Sequence, residues 1–213
     1  MLYIERFVCN QLQENCYIIH DESREAIILD CGALFKSERQ AIVNYIQQQQ
    51  ITPVRLIATH GHLDHNFGNA AIYQTYGLKV EAHINDAFLI EHLEEQAMQM
   101  FMMQLEDKMP PVGNYFTTDQ INLGSHHFQI IHTPGHTPGG VVYYCAEEKV
   151  AFTGDTLFQM SIGRTDFEGG SYYEMISSLQ LLKKLLPADT TILSGHGGKT
   201  TMADELKYNP YLK

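Results

Sequence analysis

The 213-residue sequence predicts an α+β protein in which two β-sheets pack face to face with helices on the outside. Three observations carry that reading. Short runs rich in Ile, Val and Tyr, broken by polar turns, dominate the first third of the chain and return after residue 120. Each of these β-rich halves also carries segments with apolar residues at helical spacing, which favours paired sheets over a doubly wound parallel sheet. The composition, 44% hydrophobic and 18% charged, is that of an ordinary globular protein. The length suits a single domain spanning residues 1–213, with enough core to fold without staples.

The elements follow in order. "YIERFVC", "NCYIIH" and "AIILDCG" read as strands. "SERQAIVNYIQQQQ" places Ala41, Ile42, Tyr45 and Ile46 at helical spacing behind Ser37 as N-cap. "VRLIA" is a buried strand, residues 66–77 form a helix closed by Gly77, and "LKVEAH" is a short strand. Residues 85–108 make the longest helical stretch, with Leu89, Leu93, Ala97, Met100 and Phe101 on one face. Met98, Met102 and Met103 widen that apolar surface, which suits a buried core helix, or else an adaptable wall over a site or a homodimer contact. Beyond residue 120, "QINLG", "HHFQIIH", "GVVYYCA" and "KVAFTGD" read as four strands. "SYYEMISSLQLLKKLLP" is a helix stopped by Pro187, "TTILSG" a strand, and the tail helical.

Charge and cysteines narrow the function. The formal net charge is −11 and no basic face is apparent, which argues against nucleic acid as a partner. No apolar run approaches a membrane span, and "MLYIERFVCN" lacks the features of a signal peptide. Cys9, Cys16, Cys31 and Cys145 form no CxxC pair and sit in apolar runs, as expected of reduced, buried thiols in a cytoplasmic protein.

One short turn concentrates the chemistry. "THGHLDH" holds His60, His62, Asp64 and His65, more imidazole than a surface loop or a core would accommodate without a ligand. The same local grammar recurs at three further strand ends. "QIIHTPGH" presents His136, "VAFTGD" presents Asp155 and "TILSGH" presents His196. Each is an apolar run, a small hydroxyl residue, a glycine that lets the chain turn, and a metal-capable side chain. If these strands end on one edge, their loops converge there. A single zinc takes about four ligands. Seven candidate ligands suit two ions sharing a bridging carboxylate. The other histidines, His20, His83, His92, His126, His127 and His132, lack this grammar; His132 is the strongest candidate among them for an outer partner.

"THGHLDH", "TPGHTPG", "TGDTLF" and "SGHG", in this order, resemble the metallo-β-lactamase superfamily, and the likeness runs from about Ile27 to the C-terminus. It implies a four-layer αβ/βα sandwich with the site at the sheet edge. "TGDTLFQMSIGRTDF" and "SGHGGKTTMADELKYNPYL" resemble the short, single-domain glyoxalase II-like hydrolases. By that resemblance His60, His62 and His136 hold one metal, Asp64, His65 and His196 a second, and Asp155 bridges them. Asp30 in "LDCG" orders the metal loop from behind. Arg164 stands where the family has a lysine, so a cation for a substrate carboxylate is retained; an ion pair with Asp166 is the competing role. Asp166 and Gly198 stand where the family has tyrosines that help hold glutathione, and the chain ends too soon for the added helical domain of full-length relatives. The thiol carrier therefore stays open.

The resemblance implies a hydrolase of a small-molecule thioester, using a hydroxide shared by two divalent metals, with Asp64 and Asp155 as catalytic carboxylates. Zinc is expected, and iron or manganese also suit His/Asp ligands. The main alternative is a mononuclear iron persulfide dioxygenase, which would leave His65 and His196 outside the metal set. A lactonase is a further alternative. A purely structural zinc site would close with four ligands, often cysteines, and this donor set contains no cysteine.

Overall fold

The computed structural model describes residues 1–116 and 120–213, which divide into two compact units, Met1–Thr117 and Thr118–Lys213.

The first unit is a six-stranded mixed sheet with helices. Its strands are β1 (Tyr3–Cys9), β2 (Glu14–His20), β3 (Glu25–Leu29), β4 (Thr52–Ile57), β5 (Val80–His83) and β6 (Asn114–Phe116), adjacent in that order. β1, β2 and β3 pair antiparallel, while β3 to β6 pair parallel. The parallel steps need crossovers, supplied by α1 (Lys36–Gln49) and α2 (Asn69–Tyr76) and then by α3 (Ala87–Ile90) and α4 (Leu93–Phe101). Every residue of β2 is buried, as are the last four of β3. Such strands read as continuous apolar runs rather than alternating ones. Ile18, Ile28, Leu56, Val80 and Ala82 from the sheet form one core with Ile42 and Ile46 of α1, Ile72 of α2 and Leu93 and Ala97 of α4.

Two expectations need correction here. Helix α1 begins at Lys36 with Phe35 as its N-cap, so Ser37 lies inside the first turn. The first-turn acid does the capping instead: Glu38 Oε2 accepts from the Phe35 N–H at 3.0 Å and Oε1 from the Asn10 N–H at 2.8 Å. The stretch 85–108 is not one helix. It is a 3₁₀ turn at Ile84–Asp86, then α3 and α4, and α4 ends where Met102 adopts a left-handed φ of 52°. The breaks rephase the apolar stripe. Leu89, Leu93 and Ala97 are buried and Phe101 packs on Phe67 with ring centroids 5.4 Å apart, but Met100 is exposed, as are Met98 and Met102. Met103 reaches the core from the following loop.

The second unit is a six-stranded mixed sheet with its own helices. Its strands are β7 (Gln120–Leu123), β8 (His126–His132), β9 (Val141–Cys145), β10 (Val150–Gly154), the small hairpin β11 (Leu157–Phe158) and β12 (Ser161–Ile162), β13 (Thr191–Ser194) and β14 (Thr200–Thr201). The order in the large sheet is β14-β13-β10-β9-β8-β7; β11 and β12 pair separately. Helix α5 (Tyr172–Leu185) opens with Ser171 as N-cap, its Oγ accepting the Glu174 N–H, and ends just before Pro187. Helix α6 (Met202–Tyr208) is capped in the same way by Thr201. Met175, Leu179 and Leu182 of α5 and Met202 of α6 pack with Val142, Ala151 and Ile192 of the sheet in one core. All four cysteines are buried free thiols, as expected from the sequence.

Leu179 is fully buried in the α5 core. Leu179→Ala removes that packing and leaves a cavity, which is expected to cost about 2–5 kcal/mol. A fall in the urea midpoint of unfolding checks it.

Candidate metal centre

In the first unit the metal-capable side chains gather at one sheet edge because of strand direction. β3 and β4 run parallel, so Asp30, just after β3, and His60, shortly after β4, emerge at the same end. β2 runs antiparallel to β3, so its first residue, Glu14, starts at that same end.

Asp30 organises this edge. Its backbone is left-handed, with φ 52°. That conformation costs an L residue of order 1–2 kcal/mol. In return its carboxylate accepts the Thr59 N–H at 2.6 Å and the Thr59 hydroxyl at 2.7 Å, and faces His65 Nδ1 at 3.1 Å. The Thr59 oxygen in turn lies 3.0 Å from His60 Nδ1. One carboxylate thus engages Nδ1 of His65 directly and Nδ1 of His60 through a hydroxyl. Both rings are thereby assigned the Nδ1–H tautomer, which makes Nε2 the ligand nitrogen. His60, His62 and His65 are all buried, and the ring centroids are 4.9 Å apart for His60–His62 and 4.2 Å for His60–His65. Asp64 Oδ2 stands 3.8 Å from His65 Nε2.

The loop backbone is held by buried polar side chains. Gln96 of α4 accepts the Leu63 N–H at 3.0 Å and donates to the Gly61 carbonyl at 3.1 Å. Asp86 accepts the Gly61 N–H at 2.8 Å. Asn66 donates to the carbonyls of His60 and His62, and Asn10 to those of Gly32 and Asp64. None of these contacts follows from the sequence pattern. Gln96 did leave a trace there: a polar residue interrupting an apolar helical stripe beside Leu93 and Ala97. Glu14 was also overlooked. It is fully buried, and burial pushes its carboxyl well above the usual range, with His65 opposing.

The second unit repeats the logic. β10 pairs parallel with β13, and β8 lies two antiparallel steps from β10, so all three strands finish at the same edge. Asp155 follows β10, His196 follows β13 by one glycine, and His136 follows β8 by three residues. The His136 Nδ1–H donates to the Arg164 carbonyl at 2.6 Å, again assigning Nε2 to ligation. Asp155 Oδ2 is 3.6 Å from His136 Nε2 and 3.6 Å from His196 Nε2. Gly163 makes the close approach possible, since a Cβ there would fall 1.8 Å from the Asp155 carbonyl oxygen.

These spacings fit a metal. Two ligand atoms on a tetrahedral ion with bonds of about 2.0–2.1 Å sit roughly 3.3–3.5 Å apart. The carboxylate–imidazole separations of 3.6–3.8 Å are too long for hydrogen bonds and close to that edge. One Asp155 oxygen equally far from two imidazole nitrogens can share an ion with either.

Arg164 contributes its carbonyl to His136 and holds its side chain outward. The guanidinium makes a two-pronged ion pair with Asp166, both N···O distances 2.7 Å, and stacks 3.9 Å from the Phe167 ring centroid. Arginine pulls the Asp166 carboxyl down to about 2. His132, the last residue of β8, sets its Nε2 2.8 Å from the Pro138 carbonyl.

Fold and donor set together define a class, and comparison with known proteins agrees. The chain belongs to the metallo-β-lactamase superfamily, whose family model matches residues 9–196. The fold is therefore the metallo-β-lactamase fold, two mixed sheets flanked by helices, as the sequence implied. The chain is 37% identical to the hydroxyacylglutathione hydrolase GloC of Haemophilus influenzae, over 98% of this chain and 97% of that one. The crystal structure of the BLEG-1 B3 metallo-β-lactamase superposes with a TM-score of 0.89 at 30% identity, covering 99% of this chain and 100% of that one. The crystal structure of TTHA1623 in a di-iron-bound form gives 0.85 at 30% identity, covering 98% and 100%. The His-rich set is thus the metal-binding equipment of a superfamily metallo-hydrolase.

Gln96→Leu strips partners from the buried Leu63 N–H and Gly61 carbonyl while keeping volume. It is expected to destabilise the protein by about 1–3 kcal/mol, read as a shift of the denaturation midpoint.

Proposed function

We propose that the two donor sets close on one binuclear centre and that the chain hydrolyses a small-molecule thioester. The observation that carries the two-metal reading is Asp155 Oδ2 standing equally far from His136 Nε2 and His196 Nε2. His65 adds to it. A single-metal dioxygenase leaves this residue out of its metal set, whereas here it is buried with Nδ1 turned to Asp30, oriented as a ligand would be. The di-iron form of TTHA1623 supports two ions, and the relative named hydroxyacylglutathione hydrolase supports a thioester substrate.

In this reading His60, His62 and His136 hold one divalent ion, Asp64, His65 and His196 hold the other, and Asp155 serves both. Zinc suits these nitrogen and oxygen donors, with iron and manganese as competitors. Bound there, the ions supply Lewis acidity and a nucleophile at neutral pH. The chain's own residues do the rest. Asp30 and Thr59 keep His60 and His65 in one tautomer, and the Arg164 carbonyl does the same for His136. Arg164 stays charged at any working pH, and its ring stacking restrains the side chain, so it can receive a substrate carboxylate in exchange for Asp166. A thiolate departs without protonation, so no separate acid is needed beside the donor set. Four buried free thiols fit a reducing cytoplasm. No described helix is long and apolar enough to cross a membrane.

Protein purified without added metal is expected to carry about two ions per chain and to release thiol from a panel of acyl thioesters. Asp155→Ala should lose two-ion binding and activity together. At most one ion at saturation, or oxygen uptake with a persulfide in place of thiol release, overturns the reading. Arg164→Ala is expected to raise KM roughly tenfold for carboxylate-bearing thioesters and to change kcat little, as loss of uniform binding does. Steady-state kinetics on matched substrates with and without the carboxylate measures it.

A further inference from the structure

Glu14 is the one fully buried carboxyl of the first unit whose two oxygens both lack a hydrogen-bond partner among the described residues. A leucine or methionine would fill the same space without the cost of burying a polar group, about 1–3 kcal/mol. Something at this position therefore uses a polar side chain.

Its surroundings show what. Glu14 opens β2 at the edge where β3 ends. Oε1 lies 3.9 Å from His65 Nδ1, the nitrogen that Asp30 engages at 3.1 Å. A carboxylate oxygen of Glu14, one of Asp30 and a ring nitrogen of His65 fall within 4.8 Å of one another. On the other side is Gly32. A Cβ built there would fall 2.1 Å from Glu14 Oε2 and 2.2 Å from the Asp64 carbonyl oxygen. The carboxyl and that carbonyl thus share the space that any other residue at position 32 would take. The Asp64 carbonyl is itself fixed by Asn10 Nδ2 at 2.9 Å. Glu14 accordingly sits beneath two successive residues, facing the Asp64 carbonyl and the Nδ1 edge of His65.

We infer that Glu14 is a positioning residue for the second metal: its carboxyl, seated in the space Gly32 leaves, braces the Asp64 backbone and the Nδ1 edge of His65. The inference rests on the two-metal reading above. It assigns Glu14 to one half of the centre. Asp64 and His65 stand over Glu14, whereas His60 is tied to Asp30 through Thr59. Outer partners of metal ligands commonly contribute ten- to hundredfold in metal affinity.

The test is zinc stoichiometry and stepwise affinity by equilibrium dialysis and calorimetry on the full chain, with the thermal midpoint recorded alongside. In the wild type two ions are expected; if it binds only one, the two-metal reading itself has failed. With two ions in the wild type, Glu14→Leu should weaken the second ion about tenfold or more and leave the first unchanged. Glu14→Gln keeps size and polarity and should restore the wild-type pattern, which a purely steric role would not distinguish from leucine. Gly32→Ala, which fills the shared space, should repeat the leucine result by a different route. It also carries the test if the leucine variant does not fold. Wild-type affinity for both ions in Glu14→Leu or in Gly32→Ala overturns the proposal. So does an equal loss of both ions, or a glutamine variant as impaired as leucine.

Discussion

The hydrogen bonds of the Asp30 carboxylate are the constraint on which the first half of the site depends. A residue just past a strand end adopts a left-handed backbone and turns its carboxylate onto Thr59 and His65. Hydrogen bonds to a charged acceptor are worth about 1.5–3 kcal/mol each, enough to offset the backbone cost. The carboxylate then joins the ends of two parallel strands, β3 and β4, and sets which nitrogen of two imidazoles points to a metal. Unligated, three buried imidazoles within a few ångströms would be poorly matched neighbours: each protonation would repel the next. Holding His60 and His65 in one orientation, with Nε2 turned to ligation, lowers the entropy lost when an ion arrives.

The second unit reaches the same end with different parts. The carboxylate there, Asp155, is itself a ligand candidate, and the orienting acceptor for His136 is a main-chain carbonyl, that of Arg164. The residue whose carbonyl orients His136 also offers the guanidinium that Asp166 and Phe167 hold in place. A change of backbone at residues 163–166 would therefore move both the acceptor of His136 and the Arg164 guanidinium, and any Cβ at Gly163 would meet the Asp155 carbonyl.

Helix α4 shows how a scaffold element can be spent on a loop. Its buried face contains Gln96, and that amide holds the turn at Gly61–Leu63 from behind. With Asp86 and Asn66, nearly every polar backbone group of the turn has a side-chain partner. The turn is short, irregular and buried, so its backbone groups need such partners. Its rigidity comes from helix packing and not from its own sequence.

The sequence by itself determined the donor set and the fold. Seven ligand candidates could be read because metal ligation demands particular side chains at strand ends, and strand, hydroxyl, glycine, ligand is a local pattern. Most strands and the helices α1, α2, α5 and α6 were legible for the same reason: apolar periodicity is local. What was not legible depended on residues distant in sequence meeting in space. Ser37 looked like a cap, yet Glu38 caps the helix start because Asn10 is beside it. The stretch 85–108 looked like one helix, and only packing against the sheet breaks it at Glu91–His92 and releases Met100 to solvent. Gln96, Asn10 and Glu14 carry no motif at all. Their roles arise because strand pairing and helix packing bring them beneath a turn 33–54 positions away in the chain, and a contact over that distance follows no local pattern, even where, as at Gln96, a polar residue interrupts an apolar stripe.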